Sequence, residues 1–145
     1  MVIQRWQSAW LFLAAVFMIF YLIMPMFVSI APDIMSLQGY TETIVYPIDA
    51  TVYFIVCALT ALLLFVDIFL YKNLSLQKSL ALIAIFLILA VNITCWILYV
   101  NFYGTDTFDW QPSIFMQYGA FIFAILAWYR IRKDQQLLAS ADRLR

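Results

Sequence analysis

The sequence predicts an all-α integral membrane fold: a four-helix antiparallel bundle with both termini cytoplasmic and a C-terminal helix extending into the cytosol. Three observations predict it. The 145-residue chain is 67% apolar and only 11% charged, whereas a water-soluble domain is about half apolar and a quarter charged. A soluble fold of this length has too little polar surface to cover so many apolar side chains. Four segments have the roughly 20 mostly apolar residues that a membrane helix needs. Finally, all eight Lys and Arg residues fall on one side of those segments, and Lys and Arg beside spans stay in the cytoplasm.

The first span runs from about Ser8 to Ile30, the second from about Ala50 to Tyr71, the third from about Leu80 to Phe102 and the fourth from about Ser113 to Tyr129. Together with a tail over 130–145 they make residues 1–145 a single transmembrane domain. Ser29-Ile30-Ala31 offers a small-x-small cleavage pattern, but Pro32 follows it and the apolar run exceeds that of a signal peptide, so the segment reads as a span. Pro32 and Pro47 bracket the first loop. Asp49 is the expected N-cap of the second helix and Ser75 that of the third. Gly104 and Pro112 bracket the third loop, with Pro112 at the first turn of the fourth helix.

Orientation follows from charge. Arg5 precedes the first span, Lys72 and Lys78 lie between the second and third, and Arg130, Arg132, Lys133, Arg143 and Arg145 follow the fourth. The opposite side carries Asp33, Glu42, Asp49, Asp106 and Asp109 with no cation. The aromatic belts agree: Trp6, Trp10, Tyr71, Trp128 and Tyr129 at the inner boundary, Tyr40, Tyr46, Tyr53, Tyr103 and Trp110 at the outer one. The acidic outer loops read as a solvated cap over the bundle.

Helices associate in lipid through small residues and close packing. The fourth helix offers the seam Ser113, Gln117, Ala120, Ala124, Ala127, with Gly119 beside it. The third offers Ala81, Ala84, Ile88, Asn92, Cys95, Tyr99, and the second Cys57, Thr60, Leu64, Asp67, Tyr71. Within the spans the candidate polar residues are Asp67, Asn92, Thr60 and Gln117. An ionisable group in a span is a functional candidate, but Asp67 lies near a helix end, where Lys72, Arg5 or Arg130 could neutralise it. Asn92 reads as an interhelical hydrogen-bond donor. Cys57 and Cys95 lie at similar depth, in apolar surroundings that disfavour a reactive thiolate.

The chain has no His, which removes the commonest general base and metal ligand. It also lacks HExxH, GxSxG, a phosphate-binding Gly-rich loop and CxxC. No catalytic, cofactor or metal residue is predicted, and nothing points to nucleic acid. The tail is the most informative stretch. Ile131, Leu137, Leu138, Ala141 and Leu144 alternate with Arg130, Arg132, Lys133, Asp134, Asp142, Arg143 and Arg145, an amphipathic pattern suited to anionic lipid headgroups or to the cytoplasmic face of a membrane-protein partner.

The two ends carry a resemblance. Ile3-Gln4-Arg5-Trp6-Gln7 resembles the IQR-x-Q opening, and Ile131-Arg132-Lys133-Asp134 with Ser140-Ala141-Asp142-Arg143-Leu144-Arg145 resembles the IRKD…S-x-DRLR ending, of a four-span membrane protein family from Bacteroidota, domain of unknown function 4293. Trp6 stands where a smaller aliphatic residue is expected in relatives. The resemblance implies a multi-pass protein of the bacterial inner membrane and transfers no catalytic residue. It draws attention to Arg5, Arg132, Lys133, Asp134, Asp142, Arg143 and Arg145 as one cytoplasmic contact surface. The expected function is therefore a non-enzymatic subunit or scaffold of a larger inner-membrane assembly. The alternative is a small transporter, or a binder of an ion or lipid, that uses Asp67 and Asn92.

Overall fold

The computed structural model describes residues 2–32, 35, 37–103 and 107–143. In chain order the elements are α1 (Val2–Ile23), β1 (Phe27–Pro32), β2 (Tyr40–Val45), a 3-10 turn (Pro47–Asp49), α2 (Thr51–Phe69), α3 (Leu74–Tyr103), β3 (Thr107–Trp110) and α4 (Ser113–Arg143). Each of the four helices is long and apolar enough to cross a membrane.

A helix stands at each of the four expected segments, but the first helix is shorter than expected. α1 ends at Ile23 instead of continuing to Ile30. Pro25 supplies the reason: it has no N–H to donate and it disfavours helical geometry at the residue before it. Beyond it the chain is extended. Met26 N–H donates to Val45 O at 2.8 Å, and β1 then pairs antiparallel with β2 on one side and β3 on the other. The register sets Phe27 opposite both Val45 and Trp110. The expected solvated loops are thus a three-stranded sheet across one end of the bundle. Gly39, at φ +77, takes the left-handed conformation in the turn before β2. Asp33, Gly104 and Asp106 lie outside the described residues.

Two caps also differ from expectation. Asp49 does not cap α2: its Oδ2 accepts from Tyr46 N–H at 2.8 Å and closes the 3-10 turn, and α2 starts behind Ala50 without a side-chain cap. α3 begins at Leu74 instead of near Leu80, and Asn73, not Ser75, caps it, with Oδ1 accepting from Leu76 N–H at 3.4 Å. The fourth span and the tail are one continuous helix of 31 residues, about 46 Å long at 1.5 Å per residue. That exceeds the roughly 30 Å hydrocarbon thickness of a bilayer.

The helices form a ring. α1 packs on α2 and α4, and α3 packs on the same two. Each turns a heptad-spaced stripe inward: Gln7, Leu11, Ala14, Met18 and Tyr21 from α1; Tyr53, Cys57, Thr60, Leu64 and Asp67 from α2; Gln77, Ala81, Ala84, Ile88, Val91 and Cys95 from α3; and Ser113, Gln117, Ala120, Ala124, Ala127, Ile131 and Asp134 from α4. A 3.5-residue repeat keeps one face on its neighbours along a gently supercoiled bundle. The expected seams of α2 and α4 are buried, apart from exposed Tyr71. On α3 the stripe passes through Val91, and Asn92 and Tyr99 are half-buried beside it. α1 and α4 approach so closely that a Cβ on Gly119 would stand 2.8 Å from the Phe17 ring. Outward, the helices expose Phe12, Phe20, Leu62, Phe86, Phe115 and Ile122, an apolar belt of the kind lipid covers.

Candidate functional site

The bundle has two ends. One carries the sheet; the other carries both chain termini and the turn between α2 and α3. Each end buries a layer of polar side chains, and a short lateral groove opens near the sheet.

At the sheet end, Tyr21 of α1 and Tyr53 of α2 are fully enclosed, with their hydroxyls hydrogen-bonded to each other. Tyr21 Oη donates onward across the ring to Cys95 Sγ at 3.9 Å, which leaves Tyr53 as donor to Tyr21. Cys57 and Cys95 are both buried and unbridged. Tyr53 therefore belongs to the core and not, as the aromatic pattern suggests, to the outer belt. Its hydroxyl sits at the first heptad position of α2, where burial demands a polar partner and Tyr21 of α1 supplies one. Ser113 Oγ donates to Pro25 O, fixing the start of α4 level with the end of α1. A Tyr21→Phe variant takes from the buried Tyr53 hydroxyl its acceptor and is expected to cost about 1–3 kcal/mol; Tyr53→Phe, which leaves Tyr21 still donating to Cys95, is expected to cost less. The double Phe variant is expected to cost less than the sum, as a double-mutant cycle on unfolding in detergent will show.

Heptad arithmetic places the second layer. Two heptads from Tyr21 toward the termini stands Gln7; two heptads from Tyr53 in the same direction stands Asp67; two from Gln117 stands Ile131. Gln7 and Asp67 thus fall in one layer by register, although no hydrogen bond joins their side chains. Gln77 joins from α3, its Nε2 donating to Asp67 O at 3.3 Å. Gln7, Asp67 and Gln77 are fully buried. Both carboxylate oxygens of Asp67, both amide atoms of Gln7 and Oε1 of Gln77 have no hydrogen-bond partner among the described residues. Lys72 and Arg130, the expected neutralising cations, are exposed and do not bond it; the Arg5 side chain and Arg145 lie outside the described residues. Gln7 and Gln77 escaped the sequence reading because each opens an apolar run and looks like its polar flank. The signal was available in their phase, since both stand in heptad register with the small residues that follow.

Between the layers the interior is apolar. Leu11, Leu64, Ala84, Ile88, Ala124 and Ala127 fill it, and Thr60 Oγ1 is returned to its own helix, donating to Val56 O at 2.7 Å. Asn92 likewise bonds within its helix, Nδ2 donating to Ile88 O at 2.9 Å, where an interhelical bond was expected. Asp67, Thr60, Asn92 and Gln117 therefore do not meet on one passage. Asp67 and Gln117 stand at opposite ends of the bundle, with packed apolar layers between them. What Asn92 and Gln117 do share is a groove of about 290 Å³ between α3 and α4, lined also by Cys95, Trp96, Tyr99, Ile114 and Tyr118. Gln117 is 1% exposed, and its Nε2 has no partner among the described residues.

The tail divides by face. Ile131 and Asp134 are buried against the bundle, while Arg130, Arg132, Lys133, Asp142 and Arg143 are exposed. Arg132 lies over the Trp128 ring, 5.5 Å from its centroid, a cation–π contact that fixes the first turn of the charged segment. From Gln136 to Arg143 every residue is exposed, including Leu137 and Leu138. Among the described residues no group of three or more Cys, Asp or Glu gathers as a metal site would require.

No curated protein and no solved structure matches the chain. A family model described as domain of unknown function (DUF4293) matches residues 3–144. With nearly the whole chain covered, and with four apolar helices inside the match, this protein belongs to the DUF4293 family.

Proposed function

We propose that the protein is a multi-pass inner-membrane subunit or scaffold, non-enzymatic, whose projecting C-terminal helix is the contact surface for a larger assembly. The observation that carries this reading is the last two turns of α4. They continue past the bundle with no packing partner among the described residues, yet present Leu137 and Leu138 between Arg132, Lys133, Asp142 and Arg143. An isolated helix of that length is marginal in water, and two exposed leucines flanked by both signs of charge suit a protein groove better than solvent. Both termini and the basic residues would face the cytoplasm, with anionic headgroups adding about 1 kcal/mol per nearby cation.

The experiment is the size of the native complex. Solubilised gently from membranes, the full chain is expected to migrate well above the mass of its 16.9 kDa protomer. Deletion of residues 136–145, or Leu138→Asp, is expected to shift most of it to the lone protomer. Migration of the unmodified chain as a protomer in every mild detergent sinks the reading. A second reading, lipid binding, is favoured by the groove at Asn92 and Gln117.

A further inference from the structure

We propose that the groove between α3 and α4 is a binding site for a diacyl phospholipid, held through an acyl-ester carbonyl by the Gln117 amide. The inference rests on the membrane placement proposed above, but not on the assembly.

A buried donor needs an acceptor. Gln117 Nε2 is enclosed and lacks one within the described residues, yet its side chain lines an open groove. Among the described residues the groove carries no Lys, Arg, Asp or Glu. It therefore suits neither a phosphate nor a cationic headgroup, and what it offers is a neutral donor. Its walls are largely aromatic, with polar groups from Asn92 and Gln117 among them: Trp96 and Tyr99 stack with centroids 5.4 Å apart, and Ile114 and Tyr118 come from α4. A neutral acceptor attached to an apolar chain fits that pairing. Depth agrees. Gln117 stands four residues into α4, about 6 Å along the helix, which is the boundary between headgroup and hydrocarbon where glycerol-ester carbonyls lie. Access is lateral, because Trp96 and Tyr118 are themselves more than half exposed on the outer face. The acyl chain would run down the groove toward Asn92, whose amide already gives one hydrogen to Ile88 O.

The test compares two probes on the unmodified protein: a diester phospholipid and its diether analogue with the same headgroup and chain lengths, which lacks both carbonyls. Binding is read by native mass spectrometry of the detergent-solubilised full chain. The diester is expected to bind about tenfold more tightly, the worth of one buried hydrogen bond, and Gln117→Leu is expected to abolish that preference. Equal binding of the two lipids to the unmodified chain overturns the proposal, as does a Gln117→Leu protein that keeps the preference. Should Gln117→Leu fail to fold, the diester–diether comparison still decides. Failure of the membrane placement would look different: the protein would stay in the soluble fraction without detergent.

Discussion

Asp67→Asn is expected to raise the stability of the detergent-solubilised protein by roughly 1–3 kcal/mol, because an unpartnered buried carboxylate carries a larger desolvation penalty than a neutral amide. The carboxylate is fully buried, and neither oxygen is bonded among the described residues. An unpaired charge in such a site is costly, whereas a neutral amide of the same shape carries a smaller desolvation penalty. Asp67→Leu, which removes the buried polar group altogether, is expected to be at least as stable as Asp67→Asn. Thermal unfolding of the three proteins side by side gives the order. If both variants lose folded protein, Asp67 has a partner that only a carboxylate engages, and the Arg5 side chain becomes the first place to look. If Asp67→Asn is as stable as expected but loses a transmembrane flux, the transporter reading returns with Asp67 at its centre.

Ala124→Leu is expected to destabilise the bundle by about 1–3 kcal/mol through overpacking. Ala124 is fully enclosed at mid-bundle, between Ala120 and Ala127 on the same stripe. One turn nearer the sheet, α1 and α4 come close enough that Gly119 tolerates no Cβ without a shift of Phe17. Phe17 cannot swing freely, since it packs edge-on against Phe123 at 5.1 Å, and Phe123 stacks on Trp10 at 5.6 Å. Extra volume at Ala124 must therefore separate whole helices. Ile122→Leu, on the exposed face of the same helix, is the control and is expected to be neutral. A stable Ala124→Leu protein would mean that α4 does not sit at the centre of the packing.

The number of helices, their approximate placement and the buried stripe of α4 were legible without coordinates, because each is local. Hydropathy over a window needs no knowledge of a partner, and Ser113, Gln117, Ala120, Ala124 and Ala127 declare their face by spacing alone. The stripe of α3 was legible only to within one residue. Val91 and Asn92 are adjacent, and a helix of 3.6 residues per turn drifts against a repeat of 3.5, so the neighbour decides which of them turns inward. The sheet was missed for a related reason. Its first strand, Phe27–Pro32, continues the apolar run of α1, and a hydropathy window cannot distinguish an extended segment from a helical one. Pro25 was the local warning.

The sequence by itself therefore determined an apolar four-helix chain with its cations gathered at one end, since composition and periodicity are properties each segment carries alone. The tertiary structure decided the ring order of the helices, the pairing of Tyr21 with Tyr53, the burial of Gln7, Asp67 and Gln77, and the groove that Gln117 lines. Those are relations between segments far apart in the chain, fixed by which faces pack closely enough to exclude everything else, and a single segment's pattern is compatible with several such arrangements.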